Sequence, residues 1–254
     1  MPDRLIQYSV ERGVARIALD SPRNRNALST ALVGQLADAL ATAGGDDTVR
    51  AVELTHTGTT FCAGADLREA SASGGMASGI QRVTGLLRSI VALPKPVVGS
   101  IDGHARAGGL GLLGACDIVV AGPRSTFAFT EVRLGLAAAM ISLTTLPRMD
   151  ARAAARYYLT GETFDAATAA RIGLVTEAVA DIAAGTLAVL DALRAGSPQG
   201  LRETKLLLTH AVLAGFDARA ADLAELSARL FASAEAAEGM AAFMAKRPPA
   251  WAAE

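Results

Sequence analysis

Short apolar runs and segments with helical spacing alternate through the first three quarters of the chain. Val14–Leu19 and Ala51–Thr55 are rich in branched apolar side chains, as buried strands are. Ser29 stands where it would cap a helix, because apolar residues then recur every three or four positions. The same interpretation assigns a helix to Ile80–Leu93, strands to Val97–Ile101 and Ile118–Val120, and a short helix to Gly108–Ala115. This alternation predicts a layered α/β core.

The pattern changes near Ala180, after which no strand signal returns. Alanine-rich segments with helical spacing follow, and they predict helices over Ile182–Leu193, Pro198–Leu213, Asp217–Phe231 and Glu235–Lys246. Before this change, Ala70–Gly79 is small and polar and contains two adjacent glycines, so we interpret it as a mobile loop. We therefore expect a core over residues 1–194 and a helical region over residues 195–254.

Composition narrows the class of protein. A chain of 254 residues with 51% hydrophobic and 19% charged residues can bury a large core. The formal charge of -1 disfavours a nucleic-acid surface. The two cysteines, Cys62 and Cys116, suggest neither a disulfide framework nor a zinc site, and we interpret both as small buried hydrophobes. Neither a signal peptide nor a membrane span is evident, so the expected location is cytoplasmic.

Two segments of small residues share one layout, which is a strand, a tight turn and the start of a helix. Phe61–Arg68 and Ile101–Gly111 both place glycine or alanine where helix-start N–H groups would be exposed. Such groups attract negative charge, and small residues let a ligand approach the backbone. Ile101–Gly111 lacks the glycine order of a dinucleotide site and the lysine of a P-loop, so a phosphate cradle is disfavoured. Each segment alone is also consistent with an ordinary strand–helix turn.

A third segment, Phe129–Leu136, carries one carboxylate among mostly apolar residues. Burial would raise the pKa of Glu131 and suit it to acid–base chemistry. Alternatively, Glu131 forms an ion pair with Arg133 or another basic residue. If the segment is extended, however, the Arg133 side chain points to the opposite face. His104 is interpreted as a structural histidine.

Together these segments resemble the enoyl-CoA hydratase/isomerase (crotonase) family, and the resemblance covers nearly the whole chain. The matching motifs, in the family's order and at its spacing, are Asn26–Leu28, Phe61–Leu67, Gly108-Gly109, Ala115–Asp117, Glu131, Leu134-Gly135, Gly161, Ala169–Val175 and Phe243–Arg247. The resemblance implies a spiral of ββα turns with a C-terminal helical assembly region. It also implies a homotrimer, or a hexamer of paired trimers, acting on an acyl-CoA thioester without a metal or a separate cofactor.

The resemblance implies roles for individual positions. Ala65 and Gly108 match the two residues whose backbone N–H groups form an oxyanion hole for the thioester oxygen, and Glu131 matches a catalytic glutamate. Positions matching acyl-CoA-binding segments are Ala27, Ala63, Asp66, Leu67 and Arg68, with Phe243 and Lys246 on a helix that reaches coenzyme A bound to a neighbouring subunit.

The chain departs from the family pattern at Gly111. Hydratases of the family commonly have a first catalytic glutamate at this position, three residues after the oxyanion glycine. Glu131 must then act as the single acid and base. The resemblance implies hydration of a 2,3-enoyl-CoA, with Δ3-Δ2-enoyl-CoA isomerisation or a catalytically silent acyl-CoA-binding subunit as alternatives.

Overall fold

The computed structural model describes residues 3–66, 69 and 75–252, and it describes residues 75–77 without their side chains. The strands of this part are β1 Ile6–Glu11, β2 Val14–Leu19, β3 Ala51–His56, β4 Thr60–Cys62, β5 Val97–Ile101, β6 His104–Arg106, β7 Ile118–Ala121, β8 Thr126–Ala128, β9 Phe164–Asp165 and β10 Glu177–Ala178. The helices are α1 Thr30–Gly45, α2 Gly75–Ala92, α3 Gly108–Ala115, α4 Ser142–Thr145, α5 Ala151–Thr160, α6 Ala166–Arg171, α7 Ile182–Ala195, α8 Pro198–Phe231 and α9 Ala234–Met244. A 3₁₀ turn, Glu131–Leu134, is called the Glu131 turn below.

The strands form two sheets. The larger has the order β1-β2-β3-β5-β7-β10, and it is parallel except for the antiparallel pair β1 and β2. The smaller has the order β4-β6-β8-β9, with β4, β6 and β8 parallel and β9 antiparallel.

From β3 to β8, consecutive strands alternate between the two sheets. β3, β5 and β7 lie in the larger sheet, and the strand that follows each of them lies in the smaller one. After β4 and β6 the chain reaches α2 and α3, and after β8 it enters the Glu131 turn. This repetition is the predicted α/β spiral of ββα turns.

Apolar side chains from both sheets and from the helices between them form the core. Ile17 and Leu54 of the larger sheet, Phe61 and Phe127 of the smaller one, and Leu36 of α1 are all fully buried. Ser29 caps α1, as predicted, because its hydroxyl accepts a hydrogen bond from Leu32 N at 3.2 Å. Helix α1 is thereby fixed at its entry while its apolar face packs into the core.

Several predicted boundaries are confirmed and others are wrong. The strands Val14–Leu19 and Val97–Ile101 and the helix Gly108–Ala115 have the predicted bounds. Of the predicted loop Ala70–Gly79, residues 70–74 lie outside the described part, and residues 75–79 are helical because α2 begins at Gly75. The two helices predicted over residues 198–231 are one continuous helix.

The helical region contacts the core through the long helix α8. Lys205 is buried, forms an ion pair with Asp117 at 2.8 Å and donates to the carbonyl oxygen of Ile90 at 3.0 Å. The division at residue 194 stays a prediction. Among the helices of the described residues, none combines the length and the hydropathy that crossing a bilayer requires. The cytoplasmic location also stays a prediction.

Candidate active site

Three segments meet at one edge of the smaller sheet. Because β4, β6 and β8 are parallel neighbours, their carboxyl ends lie on the same side. The segments that leave those ends contain Ala65, Gly108 and Glu131. Sheet edges of this kind are where ligands of open α/β folds bind. The sheet topology therefore brings together the three residues that the sequence assigned to catalysis.

The segment after β4 is joined to the loop before α1. Ala63 N donates to the carbonyl oxygen of Arg25 at 3.1 Å, and Leu28 N donates to that of Gly64 at 2.8 Å. Gly64 has a φ of +90°, and a Cβ there would lie 2.8 Å from the Cβ of Ala107. A side chain at residue 64 would therefore push the first two converging segments apart.

Asn26 holds this joined pair of segments in place, and sequence reasoning assigned it no role. It is fully buried with a φ of 53°. Its side-chain oxygen accepts from Ser21 N at 2.7 Å, and its amide nitrogen donates to the carbonyl oxygen of Thr60 at 2.8 Å. The residue type could have indicated this role in the sequence, since asparagine tolerates a left-handed backbone and forms hydrogen bonds with nearby main chain.

The two proposed oxyanion donors have free N–H groups in the described part of the chain. Neither Ala65 N nor Gly108 N donates to any backbone or side-chain acceptor there. Gly108 is the first residue of α3, so its N–H belongs to the unsatisfied group at a helix start. Both residues line the same cavity. Their role in holding an oxyanion stays a prediction.

The preceding residue, Ala107, has an unusual backbone. Its φ of 46° and ψ of -118° lie where side chains are rarely accommodated. Its N–H donates to the carbonyl oxygen of Ala128 at 3.3 Å, which ties this bend to β8. The bend turns the chain from β6 into α3 directly before Gly108.

Glu131 lines the cavity with one carboxylate oxygen that has no partner in the described part of the chain. Its Oε2 is buried and has no hydrogen-bond partner among the described residues. Burial raises the pKa of Glu131 to about 7. The segment is not extended as the sequence argument about Arg133 assumed, because residues 131–134 form a 3₁₀ turn. The alternative ion pair is absent from the described contacts, and Arg133 Nε instead donates to the carbonyl oxygen of Thr160 at 3.3 Å.

The position of the missing glutamate is filled. A Cβ on Gly111 would lie 2.5 Å from Cγ2 of Ile141 and 3.3 Å from Cδ1 of Leu87. The first distance is too short for a contact between carbon atoms, and the second is tighter than usual. Gly111 thus packs against Ile141, and no room remains there for a carboxylate side chain.

The cavity has a volume of about 750 Å³ and an excess of positive charge. Six arginines line it in the described part of the chain: Arg23, Arg25, Arg82, Arg106, Arg133 and Arg247. Three acids, Asp66, Glu69 and Glu131, also line it. Residues 137–141 supply part of its apolar wall. A long ligand with an apolar part and several negative charges suits these surroundings.

The structure places most of the predicted binding residues on this cavity. Ala27, Ala63, Asp66 and Phe243 line it. Lys246 does not line it, because the chain turns after α9 with a Lys246 φ of 52°, and the cavity is lined instead by the next residue, Arg247. Leu67 and Arg68 lie outside the described residues. Phe243 contacts the cavity of its own chain, and its predicted contact with a neighbouring subunit stays a prediction.

Neither cysteine nor His104 belongs to the residues that line the cavity. Cys62 and Cys116 are free and buried, and burial raises the pKa of each thiol to about 12, which keeps them as unreactive thiols. His104 lies on an exposed position of β6, and its Nδ1 lies 2.8 Å from the hydroxyl of Thr126.

Comparison with known proteins agrees with this architecture. Residues 9–254 match the enoyl-CoA hydratase/isomerase family model. A crystal structure of an enoyl-CoA hydratase from Mycobacterium avium is 54% identical with a TM-score of 0.92, over 98% of this chain and 99% of that chain. The mitochondrial enoyl-CoA hydratase domain-containing protein 2 of Bos taurus is 33% identical, over 96% of this chain and 86% of its own length. The mevalonyl-coenzyme A hydratase of Aspergillus fumigatus is 31% identical, over 92% of this chain and 90% of its own length.

The match spans both sheets, the three converging segments and the helical region. The chain is therefore an enzyme that belongs to the enoyl-CoA hydratase/isomerase family.

Proposed function

We propose that the protein adds water to the 2,3 double bond of an enoyl-CoA thioester, with Glu131 as its acid and base. The observation that carries this proposal is the Glu131 carboxylate, which faces the cavity with a buried, unpaired Oε2. A pKa of about 7 suits a group that both accepts and returns a proton near neutral pH. The names of the relatives from Mycobacterium avium and Bos taurus support the same chemistry.

Two proton transfers through one carboxylate complete the reaction. Glu131 takes a proton from a water molecule as the water oxygen bonds to C3. The double-bond electrons then move through C2 onto the thioester oxygen, where Ala65 and Gly108 donate their N–H groups. Protonated Glu131 next gives its proton to C2 as the carbonyl re-forms. One water is consumed, and Glu131 returns to its starting state. In other enzymes, losing one such N–H donor costs about 2.7–4 kcal/mol.

The coenzyme part of the substrate supplies binding energy away from the reacting carbons. Arg23 and Arg25 line the cavity together with Ala27, and they are suited to the phosphates of coenzyme A. Ala63 and Phe243 line the same cavity as these arginines and Glu131.

Gly111 favours a second candidate, Δ3-Δ2-enoyl-CoA isomerisation. This reaction needs no bound water, because one base removes a proton from C2 and returns it to C4. Ile141 occupies the space in which a second carboxylate would hold the water. A site with one carboxylate is therefore sufficient for isomerisation.

Assays with paired substrates test both candidates. Hydration is followed on 2-butenoyl-CoA and isomerisation on 3-hexenoyl-CoA, with binding of a saturated acyl-CoA measured by calorimetry. We expect Glu131→Gln to lower kcat by about 100-fold or more while the acyl-CoA still binds. Glu53→Gln is the matched control, since burial also raises the pKa of Glu53, which lies in β3 outside the cavity. Turnover of neither substrate, with binding intact, would assign the protein the role of an acyl-CoA-binding subunit.

A further inference from the structure

Helix α8 turns an apolar face toward the core, and one buried hydroxyl interrupts that face. Ser227 is 6% exposed and keeps the helical spacing between Ala224 and Phe231. Ser227 and Phe231 also line the cavity. The core-facing side of α8 therefore continues into a wall of the cavity, and Ser227 belongs to that wall. The apolar residues of this face are Val212, Phe216, Ala220, Ala224 and Phe231.

The hydroxyl of Ser227 has no partner within the fold. None of the described residues forms a hydrogen bond with it. Thr209, buried on the same helix, shows the ordinary arrangement, because its hydroxyl donates to the carbonyl oxygen of Lys205 at 2.9 Å. A buried hydroxyl without a partner costs stability. A free hydroxyl on the cavity wall therefore indicates a partner that arrives with the ligand.

Two contacts show how α8 runs along α2. Arg88 of α2 pairs with Asp217 of α8 at 3.0 Å. Two residues further along α2, the carbonyl oxygen of Ile90 accepts from Lys205, which lies earlier in α8. The two helices are therefore antiparallel, and the start of α2 lies toward the end of α8.

This arrangement locates Ser227 within the cavity. From the Arg88–Asp217 pair, about 12 Å along α2 leads back to Ile80 and about 15 Å along α8 leads forward to Ser227. Ile80 lines the cavity as well. At the other end of this stretch of α2, Leu87 Cδ1 lies 3.3 Å from where a Cβ on Gly111 would be. Because Leu87 and Ile80 are about 10 Å apart along the helix axis, Ser227 lies on the order of 10 Å from the neighbourhood of residue 111.

The residues near Ser227 favour a neutral group. Ile80, Val83 and Phe231 give this part of the wall apolar side chains. Such side chains cannot compensate a charge that leaves water. A hydroxyl group, by contrast, can both donate to and accept from the hydroxyl of Ser227.

We propose that the Ser227 hydroxyl binds a hydroxyl group near the far end of the acyl chain, so that the preferred substrates are thioesters of medium-length hydroxy acids. This inference rests on the proposed function, in which the thioester oxygen is held at Ala65 and Gly108 and the acyl chain extends past Glu131. A short acyl chain ends before it reaches Ser227, whereas a chain of about eight carbons spans the distance of about 10 Å that the helix spacing gives.

Binding of saturated thioesters by calorimetry tests the proposal without requiring turnover. The first pair of probes is 8-hydroxyoctanoyl-CoA and octanoyl-CoA, which differ by one hydroxyl group. We expect the wild-type protein to bind the hydroxylated probe more tightly, because a site with a hydrogen-bonding group disfavours the analogue that lacks its partner. Ser227→Ala should weaken binding of the hydroxylated probe by about 10-fold and change that of octanoyl-CoA by less than about threefold.

A shorter pair, 4-hydroxybutanoyl-CoA and butanoyl-CoA, tests the distance. Neither of these probes reaches Ser227, so Ser227→Ala should leave both affinities unchanged. Thermal unfolding of the free protein provides a readout that a structural hydroxyl would move in the opposite direction. Because alanine favours a helix over serine and the lost hydroxyl had no partner, Ser227→Ala should not lower the melting temperature.

Two further variants complete the comparison. Ser227→Cys keeps the size of the side chain but is a weak donor and acceptor, so it should behave as Ser227→Ala does. Ser89→Ala is the matched control. Ser89 lies on α2 outside the cavity lining, and its hydroxyl donates to the carbonyl oxygen of Leu86 at 2.8 Å. This control should change no affinity.

Three outcomes overturn the proposal. The first is a wild-type affinity for 8-hydroxyoctanoyl-CoA that is no higher than that for octanoyl-CoA. The second is an unchanged affinity of Ser227→Ala for the hydroxylated probe. The third is an equal loss for all probes and for free coenzyme A, or a lowered melting temperature, which would give Ser227 a structural role. Because saturated thioesters are not turned over, a protein without enoyl-CoA activity can still give the expected difference.

Discussion

Gly239 of α9 lies in backbone contact with Leu134 of the Glu131 turn. A Cβ on Gly239 would lie 2.6 Å from both the carbonyl carbon and the carbonyl oxygen of Leu134. The turn approaches the helix equally closely from its own side, because a Cβ on Gly135 would lie 2.7 Å from the carbonyl carbon of Glu235. The C-terminal helix and the turn that carries Glu131 are therefore fixed against each other without intervening side chains.

This contact predicts that Gly239→Ala lowers kcat. Alanine favours a helix over glycine, so the change would stabilise α9 if space were available. The added methyl group instead pushes the Glu131 turn away, and a displacement near 1 Å can cost about 100-fold in rate. The measurement is kcat on the best enoyl-CoA, with thermal unfolding alongside.

Gly215→Ala is the control for this change. Gly215 also lies within a helix, but a Cβ there would meet nothing within 4 Å. It should leave kcat unchanged and raise stability by up to about 1 kcal/mol. Equal kcat values for the two variants would show that the close contact does not position Glu131.

The oxyanion assignment predicts different effects for two substitutions of Gly108. Gly108→Pro removes the N–H, whereas Gly108→Ala keeps it. Both add a Cβ, which would lie 2.8 Å from Cδ1 of Leu28. If the N–H holds the thioester oxygen, the proline variant should lose about 100- to 1,000-fold more in kcat than the alanine variant. Similar kcat values with native circular dichroism would remove Gly108 N–H from the mechanism.

Burial of Glu131 predicts an acid limb in the pH profile. Because burial raises its pKa to about 7, the carboxylate form that starts the reaction is populated only above that pH. We expect kcat/KM to rise about tenfold per pH unit below about 7 and to level off above it. A profile that stays flat down to pH 5, where the protein remains folded, would contradict Glu131 as the base.

Exposed leucines on α8 predict an assembly surface. Leu207 and Leu208 are 80% and 66% exposed, and Leu206 beside them is 45% exposed. Adjacent apolar side chains of this size are typical of surfaces that other subunits cover. We expect a trimer or hexamer by light scattering, and we expect Leu207→Glu to dissociate it. A monomeric wild-type protein at micromolar concentration would contradict the predicted assembly.

Elements defined by local pattern could be predicted from the sequence. The strand Val97–Ile101 and the helix Gly108–Ala115 have abrupt composition changes at both ends, and their bounds were correct. The break predicted within α8 was wrong because Gly215 costs a helix only about 1 kcal/mol. Neighbouring turns of a helix 34 residues long readily compensate for that cost.

Contacts between distant segments could not be predicted in the same way. The sequence shows that position 111 has glycine where hydratases of the family commonly have a glutamate. Only the fold shows that Ile141 fills the space that a side chain at position 111 would need. Likewise, the hydrogen bonds of Asn26 join residues more than 30 positions apart. The contact of His104 with the hydroxyl of Thr126 likewise depends on the register of β6 and β8, which places the two residues opposite each other.

The spiral of strands places two kinds of chemical group at the same cavity: main-chain N–H donors and acid–base side chains. In the proposed reaction, the charge on the thioester oxygen is stabilised by the main-chain N–H groups of Ala65 and Gly108, which persist through many side-chain changes as long as the spiral keeps its register. Proton transfer would depend on single side chains, on the Glu131 turn or at residue 111 of α3. If both assignments hold, a fold of this kind can acquire a new reaction by exchanging one or two residues while the backbone still binds the thioester.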